Sequence, residues 1–290
     1  MNRSPFAKVV DAVRGQAQDA AQRAASFAPG SPDALVARAL AILAEDTMAT
    51  PETRLAGLPL QRHLLSDGTE CPLPIRYFDV QCLVATFLVD QGPAAVLLKG
   101  TGLQAVPQED GKAVVLLYCI EYRITDIGPY NEVGLTILAR APGDPIPAIY
   151  VTDLPVTTAA ANRAGREIWG YNKFLAAIDV KRDGKKFSTM LRDLDNVTIC
   201  ALEGSRGASV PVPPNDIITF TLLNSKVIKT VIRVLTPSHA SSGDGFVLTV
   251  GTSRHAMTNN LRTLGIDGAR PLMVQYADPF QALLFPGRAL

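Results

Sequence analysis

The sequence predicts an α+β protein rich in β structure: an antiparallel sheet or barrel of short strands behind a helical N-terminal extension. Three observations carry this prediction. From Ile75 onward, runs of Val, Ile, Leu, Phe, Tyr and Thr recur between Gly, Pro, Asp and Asn turn signals. Helical spacing is confined to a few stretches, and strands do not alternate with helices as they would around a parallel sheet. The first 28 or so residues instead repeat apolar positions at three- and four-residue steps.

In that opening segment Phe6, Val9, Val10 and Val13, then Ala20, Ala21 and Ala24, mark one helical face, and Pro29-Gly30 ends it. Ser31-Pro32-Asp33 opens a second helix, with serine as cap and proline in the first turn. Leu35, Val36, Leu40, Ile42 and Leu43 form its apolar stripe. Helices so poor in bulky residues rarely stand alone, so their expected use is packing on the main domain or on a neighbouring subunit. Residues 47–74, rich in proline and turn formers, read as a linker or surface wrapping. The predicted division is therefore a helical extension and linker over 1–60 and one β-rich domain over 61–290.

Within the domain, strands are predicted over Val80–Val89, Ala113–Thr125, Asn131–Ala139 and Ala148–Leu154. Ala94–Lys99 reads equally as a short helix or a strand edge. The break at Ile127-Gly128-Pro129 makes a hairpin-like pair of the strands around it, which aims Glu132 either into a barrel or out to solvent. Thr157–Tyr171 has the makings of a three-turn helix. Asp183-Gly184 is a hairpin signal between Leu175–Val180 and Lys186–Arg192. Further strands are expected at Val197–Glu203, Ile217–Leu223, Ser225–Leu235, Gly245–Val250 and Pro271–Tyr276. Ser209–Pro214 reads as a proline-rich loop and Arg254–Leu264 as a late helix.

Composition narrows the partners. Among 290 residues, 47% are hydrophobic and 19% charged, the balance of a folded globular chain. A net charge of +1 and the absence of a basic run interleaved with aromatics argue against nucleic acid. No apolar run approaches a membrane span. Cys71, Cys82, Cys119 and Cys200 are scattered, without a nearby histidine pair, and His63, His239 and His255 stand far apart. Neither metal site, cofactor nor disulfide framework is expected, and the chain reads as cytoplasmic.

One stretch has chemical character: Gly165-Arg166-Glu167-Ile168-Trp169-Gly170-Tyr171-Asn172-Lys173-Phe174-Leu175. It sets one lysine among large apolar neighbours. In water a lysine amine has a pKa of about 10.4, so at pH 7 roughly one in a few thousand is neutral. Burial disfavours the ammonium, and a free amine can attack a carbonyl to form a Schiff base. The alternative is that Lys173 lays its methylenes on the aromatics and carries its head to water. From the residues alone that is the commoner use of a lysine.

Gly165-Arg166-Glu167 with Tyr171 and Lys173, and Tyr130-Asn131-Glu132 upstream, resemble the acetoacetate decarboxylase family. Gly102–Pro107 and the tail Leu264-Gly265-Ile266, Pro271 and Phe280–Gly287 extend the likeness to roughly residues 70–290. The resemblance implies a curved antiparallel barrel, assembly into a homo-oligomer (with the N-terminal helices as a candidate contact), and a small carbonyl or keto-acid substrate. It makes Lys173 the Schiff-base nucleophile and Glu132 the proton-transfer group. Tyr130, Tyr171, Trp169 and Phe174 are the candidate substrate-binding residues around them, although each has an alternative as plain wall or core. Arg166 and Glu167 read as a structural pair. Two departures stand out: Phe174 replaces the family's second lysine, and the family's carboxylate-binding arginine falls on Val80, with Arg76 out of register. A second pocket glutamate falls near Leu117, four residues before Glu121. Three readings follow: a lyase acting on a keto acid through a lysine imine, a relative with aldolase or dehydratase activity, and a non-catalytic binding protein that kept the fold.

Overall fold

The computed structural model describes Leu55, Leu58 and residues 60–290. The N-terminal helices expected from the sequence lie outside the described residues.

In chain order the elements are β1 (Gln61–Leu64), β2 (Glu70–Leu73), β3 (Ile75–Asp90), α1 (Gln91–Leu97), β4 (Gln104–Ala105), β5 (Lys112–Thr125), β6 (Tyr130–Arg140) and β7 (Ala148–Asp153). Helix α2 (Ala159–Trp169) follows, then β8 (Ala177–Asp183), β9 (Lys186–Arg192), β10 (Thr198–Ser205), β11 (Ser209–Val212), β12 (Ile217–Leu223) and β13 (Lys226–Val234). The last are β14 (Ser238–Ser242), β15 (Phe246–Val250), α3 (Ala256–Thr263), β16 (Met273–Ala277), β17 (Ala282–Leu284) and β18 (Arg288–Ala289).

Seven strands close on themselves. β3 pairs with β5, β5 with β6, β6 with β7, β7 with β12, β12 with β13, β13 with β17, and β17 returns to the first residues of β3. Closure removes the exposed strand edges that an open sheet would present. One pairing departs from the antiparallel expectation: β7 and β12 run parallel, with Thr219 opposite Ile149. Parallel neighbours need a long crossover, and the stretch from α2 through β11 supplies it. The second half of β3 carries a branch, β16–β14–β11, and a separate sheet runs β15–β10–β9–β8.

Side-chain alternation divides the core. On β5, Val115, Leu117 and Cys119 pack outward against the four-stranded sheet through Phe187, Leu191, Ile199 and Leu202. Tyr118, Ile120 and Tyr122, one residue out of phase, point into the barrel. The barrel thus has one wall covered by a second sheet and a lumen of its own.

Most predicted strands and the two longer helices are present within a few residues, and 91–97 resolves as helix. Several short strands differ from the expectation. β1 and β2 form a hairpin in the expected linker, β11 occupies the proline-rich loop, and β14 and β17 had no strand assigned. β1 and β2 pair locally with each other, but β11, β14 and β17 are short strands whose pairing comes from distant partners, such as Val210 opposite Ala240 and Leu283 opposite Arg76. Local pattern is a weak guide to such pairings.

All four cysteines are free and buried. Burial pushes the Cys71 thiol up to about 11 and Cys119 up to about 12, and raises Cys82 and Cys200 further. A thiol reagent attacks the thiolate. The native protein is therefore expected to show essentially no titratable thiol at pH 8 within minutes, and four after denaturation. Rapid native reaction at any one of them would contradict this packing.

Candidate active site

The lysine is placed by a helix end and two bridges. Thr158 caps α2, its side chain accepting from the Ala161 amide. The helix stops at Gly170 in the left-handed conformation, φ 69°, where the Gly170 amide donates to Arg166 and the Tyr171 amide to Gly165. A Cβ on Gly170 would sit 2.3 Å from the Leu222 carbonyl oxygen, so the turn needs glycine on two counts. The chain then runs extended beside 154–156: the Leu154 amide donates to Asn172, Val156 to Phe174, and Ala176 to Val156. On its other side Val156 bridges to Glu132. Residues 154–156 therefore form the spacer that sets Lys173 and Glu132 across from each other.

Alternation in this extended stretch turns Tyr171 and Lys173 inward and Asn172 and Phe174 away. Lys173 is 7% exposed and Glu132 5%. The Lys173 Nζ donates to Glu132 Oε2 at 2.5 Å, and the Tyr122 hydroxyl donates to Glu132 Oε1 at 3.1 Å. Gly165 makes room for the lysine stem: a Cβ there would fall 2.3 Å from Lys173 Cε and 2.5 Å from Cδ. Two rings flank the ammonium, Tyr130 at 5.6 Å and Tyr171 at 5.9 Å from Nζ.

The pair faces a lumen cavity of about 80 Å³, and every one of the seven barrel strands contributes to its wall. The wall is chiefly apolar or aromatic, including Tyr77, Ile149, Val151, Leu154 and Leu284, with Thr136 and Thr219 as small polar members. Tyr171 donates to or accepts from Thr219 at 3.0 Å. Burial, with the Glu132 carboxylate adding to it, raises Tyr77 and Tyr122 well above the ordinary tyrosine value, as burial and the neighbouring phenols do for Tyr130. These phenols remain protonated, so Tyr122 acts as a hydrogen-bond donor to the carboxylate. Two ionisable groups this far out of water offset part of the cost of burial by bonding to each other.

Of the candidate residues, the structure brings together Lys173, Glu132 and Tyr171 at the cavity, with Tyr130 stacked behind Tyr122 at 4.2 Å. Three expectations need correction. Phe174 does not face the cavity; it stacks on His255 at 3.9 Å, because its neighbour Lys173 already takes the inward phase. Trp169 is core, its indole donating to the Phe285 carbonyl at 2.8 Å. Nor do Arg166 and Glu167 pair: Glu167 accepts from Ser66 and lies near Arg163. Tyr77, Tyr118, Tyr122 and Thr219 were not foreseen. Tyr122 was within reach, since the 127–129 hairpin sets it beside Tyr130, two residues from Glu132.

Among the residues lining the cavity, Lys173 is the only cation. Val80 is core, and Arg76 is engaged by Asp126, with Nη2 to Oδ1 at 2.9 Å. Leu117 faces outward, and Glu121 stands partly exposed 3.8 Å from Arg123. Among the described residues, no group of three or more His, Cys, Asp or Glu side chains gathers to hold a metal, and no helix is long and apolar enough to cross a membrane.

A closed β-barrel that seats a lysine–carboxylate pair on its inner wall defines the class. The chain belongs to the acetoacetate decarboxylase family, whose family model matches residues 64–238. Its fold is similar to that of acetoacetate decarboxylase from Legionella pneumophila, with a TM-score of 0.60 at 16% identity over 84% of this chain and 97% of that one. It is also similar to the enduracididine biosynthesis enzyme MppR, seen with the condensation product of pyruvate and imidazole 4-carboxaldehyde: TM-score 0.57, 16% identity, 76% of this chain and 90% of that one. An acetoacetate decarboxylase-like enzyme from Sphingomonas wittichii gives a TM-score of 0.57 at 13% identity, over 79% of this chain and 98% of that one. No curated protein matches the chain.

Proposed function

We propose that the protein is a carbon–carbon lyase that works through a Schiff base between Lys173 and a carbonyl substrate. The observation that carries this reading is the Lys173 Nζ–Glu132 Oε2 contact of 2.5 Å at an enclosed, chiefly apolar cavity. Moving one proton along that bond converts ammonium and carboxylate into amine and carboxylic acid without changing the net charge of the pair. The amine lone pair adds to the substrate carbonyl. Glu132 then protonates the carbinolamine oxygen, and water leaves to give an iminium. That cation draws the electrons of a neighbouring carbon–carbon bond toward nitrogen. The bond breaks to an enamine and an electrophilic fragment, which is carbon dioxide from a β-keto acid or an aldehyde from a β-hydroxy ketone. Glu132, left as a carboxylate when water departs and held by Tyr122, takes the β-hydroxyl proton as the aldehyde forms, or a proton from water after carbon dioxide leaves. It delivers that proton to the enamine carbon, and water hydrolyses the resulting iminium to free the product and the Lys173 amine.

The lack of a second cation on the cavity wall favours the aldehyde-releasing or aldol direction over decarboxylation. A carboxylate entering an apolar site without a partner loses hydration that nothing replaces. MppR, with its bound condensation product, is a relative of matching fold seen with a compound of that kind.

Incubating the protein with acetone and borohydride tests the imine step. Hydride reduces the C=N bond to a stable secondary amine, and peptide mapping locates it. An adduct on Lys173 is expected. Its absence, or labelling confined to surface lysines, would leave the non-catalytic reading.

A further inference from the structure

Beside the lysine cavity lies a second one, of about 180 Å³. The two share Cys82, Tyr118, Ile149, Ile217 and Phe280 as a common wall, so they adjoin through the barrel side formed by β3, β5, β7 and β12. The second cavity extends away from Lys173 past Val84, Leu116 and Leu138 to the 212–216 loop, where Pro213 and Pro214 are exposed. Its one charged lining residue is Asp216, which has an Arg233 guanidinium 2.8 Å away. Polar groups nearer the mouth are engaged as well: Gln275 donates to Ser238 at 2.7 Å, and Thr236 accepts from the Gln281 amide at 3.0 Å. No lysine or arginine lines it.

A site for a two- or three-carbon acid needs neither this second space nor its apolar wall. What fits the pair of cavities is a molecule with a carbonyl at one end, next to Lys173, and an uncharged hydrocarbon chain directed toward the 212–216 loop. We propose that the substrate is such a chain-bearing, uncharged ketone or aldehyde. The proposal rests on the lysine-imine reading and adds the part of the substrate that the second cavity holds.

Reductive trapping across a ketone series separates the two claims. Ketone and Lys173 amine lose water to form the imine, and borohydride hydride fixes it. The concentration giving half-maximal trapping is read for acetone, 2-pentanone, 2-heptanone and 2-nonanone, and for 7-oxooctanoate as the carboxylate-tipped counterpart of a long ketone. Burying each methylene is worth about four-fold, so the half-trapping concentration is expected to fall by more than about 100-fold from acetone to 2-heptanone. The carboxylate-tipped ketone is expected to lose most of that gain. In Val84→Phe, which fills the second cavity, the acetone-to-heptanone ratio should collapse toward one; Leu116→Phe provides a second variant should the first fail to fold. A flat chain-length series with acetone still trapped on Lys173 would overturn the chain-bearing substrate and leave the imine chemistry standing. Tighter trapping of 7-oxooctanoate than of 2-nonanone would also overturn it. Failure of every ketone to label Lys173 would overturn both.

Discussion

Lys173→Met abolishes the reducible adduct and lowers turnover by about 10⁴-fold or more, the scale on which covalent catalysts suffer when their nucleophile is removed. Methionine is unbranched, of similar reach and at home in an apolar wall, so the loss would report the amine and not the space it fills. The same change carries a stability signature. Lys173 and Glu132 are both buried and bonded to each other at 2.5 Å. Removing one member of such a pair leaves a buried charge uncompensated, a cost of about 3–5 kcal/mol. For a protein of this size that lowers the melting temperature by about 10 °C. Adding Glu132→Gln to Lys173→Met removes the orphaned charge while an amide oxygen still accepts from Tyr122, so the double variant should be more stable than the single one. Catalysis would stay lost. Thermal melts of the single and double variants, alongside trapping and turnover assays, check all of this. Undiminished turnover in Lys173→Met would end the proposal.

Gly165→Ala separates stability from chemistry in the opposite sense. Alanine is favoured over glycine inside a helix by about 1 kcal/mol, and Gly165 lies within α2. The added methyl, however, would fall 2.3 Å from Lys173 Cε and 2.5 Å from Cδ. The obstacle is the far end of a flexible side chain, so the lysine yields rather than the helix. A displacement of about 1 Å at a reacting group costs about 100-fold. The expected outcome is a folded protein with a melting temperature within a few degrees of the parent. Its trapping rate and turnover would fall by about 100-fold. Wild-type trapping in this variant would show that the lysine stem does not depend on the gap at Gly165.

These two predictions mark how far the sequence reaches. The helix, expected over 157–171 and found at Ala159–Trp169, and the strands around Glu132 were legible because each is written in local terms: an alanine-rich run, β-branched runs and a Gly-Pro break. The threonine cap and the stop at Gly170 came with the structure. The place of Gly165 was legible only as a letter of a family pattern; its physical reason, the lysine stem lying across the helix, appears once the backbone is folded. Phe174 was misjudged because adjacency in sequence was taken for adjacency in space. In an extended chain consecutive side chains face opposite ways, so whatever sits next to an inward lysine points elsewhere. Trp169, a candidate for the pocket wall with the core as its alternative, belongs to the core.

The sequence by itself determined that this is a β-rich member of its family with one lysine and one glutamate worth singling out, since strand texture, turn chemistry and a short run of residues are local properties. Tertiary structure alone decided that Lys173 meets Glu132, that Tyr122 holds the far oxygen of that carboxylate, and that a second apolar cavity adjoins the first. Those contacts join residues 41 and 10 positions apart and walls drawn from every strand of the barrel, and nothing in the spacing of letters along a chain encodes which distant faces a closed sheet will turn toward each other.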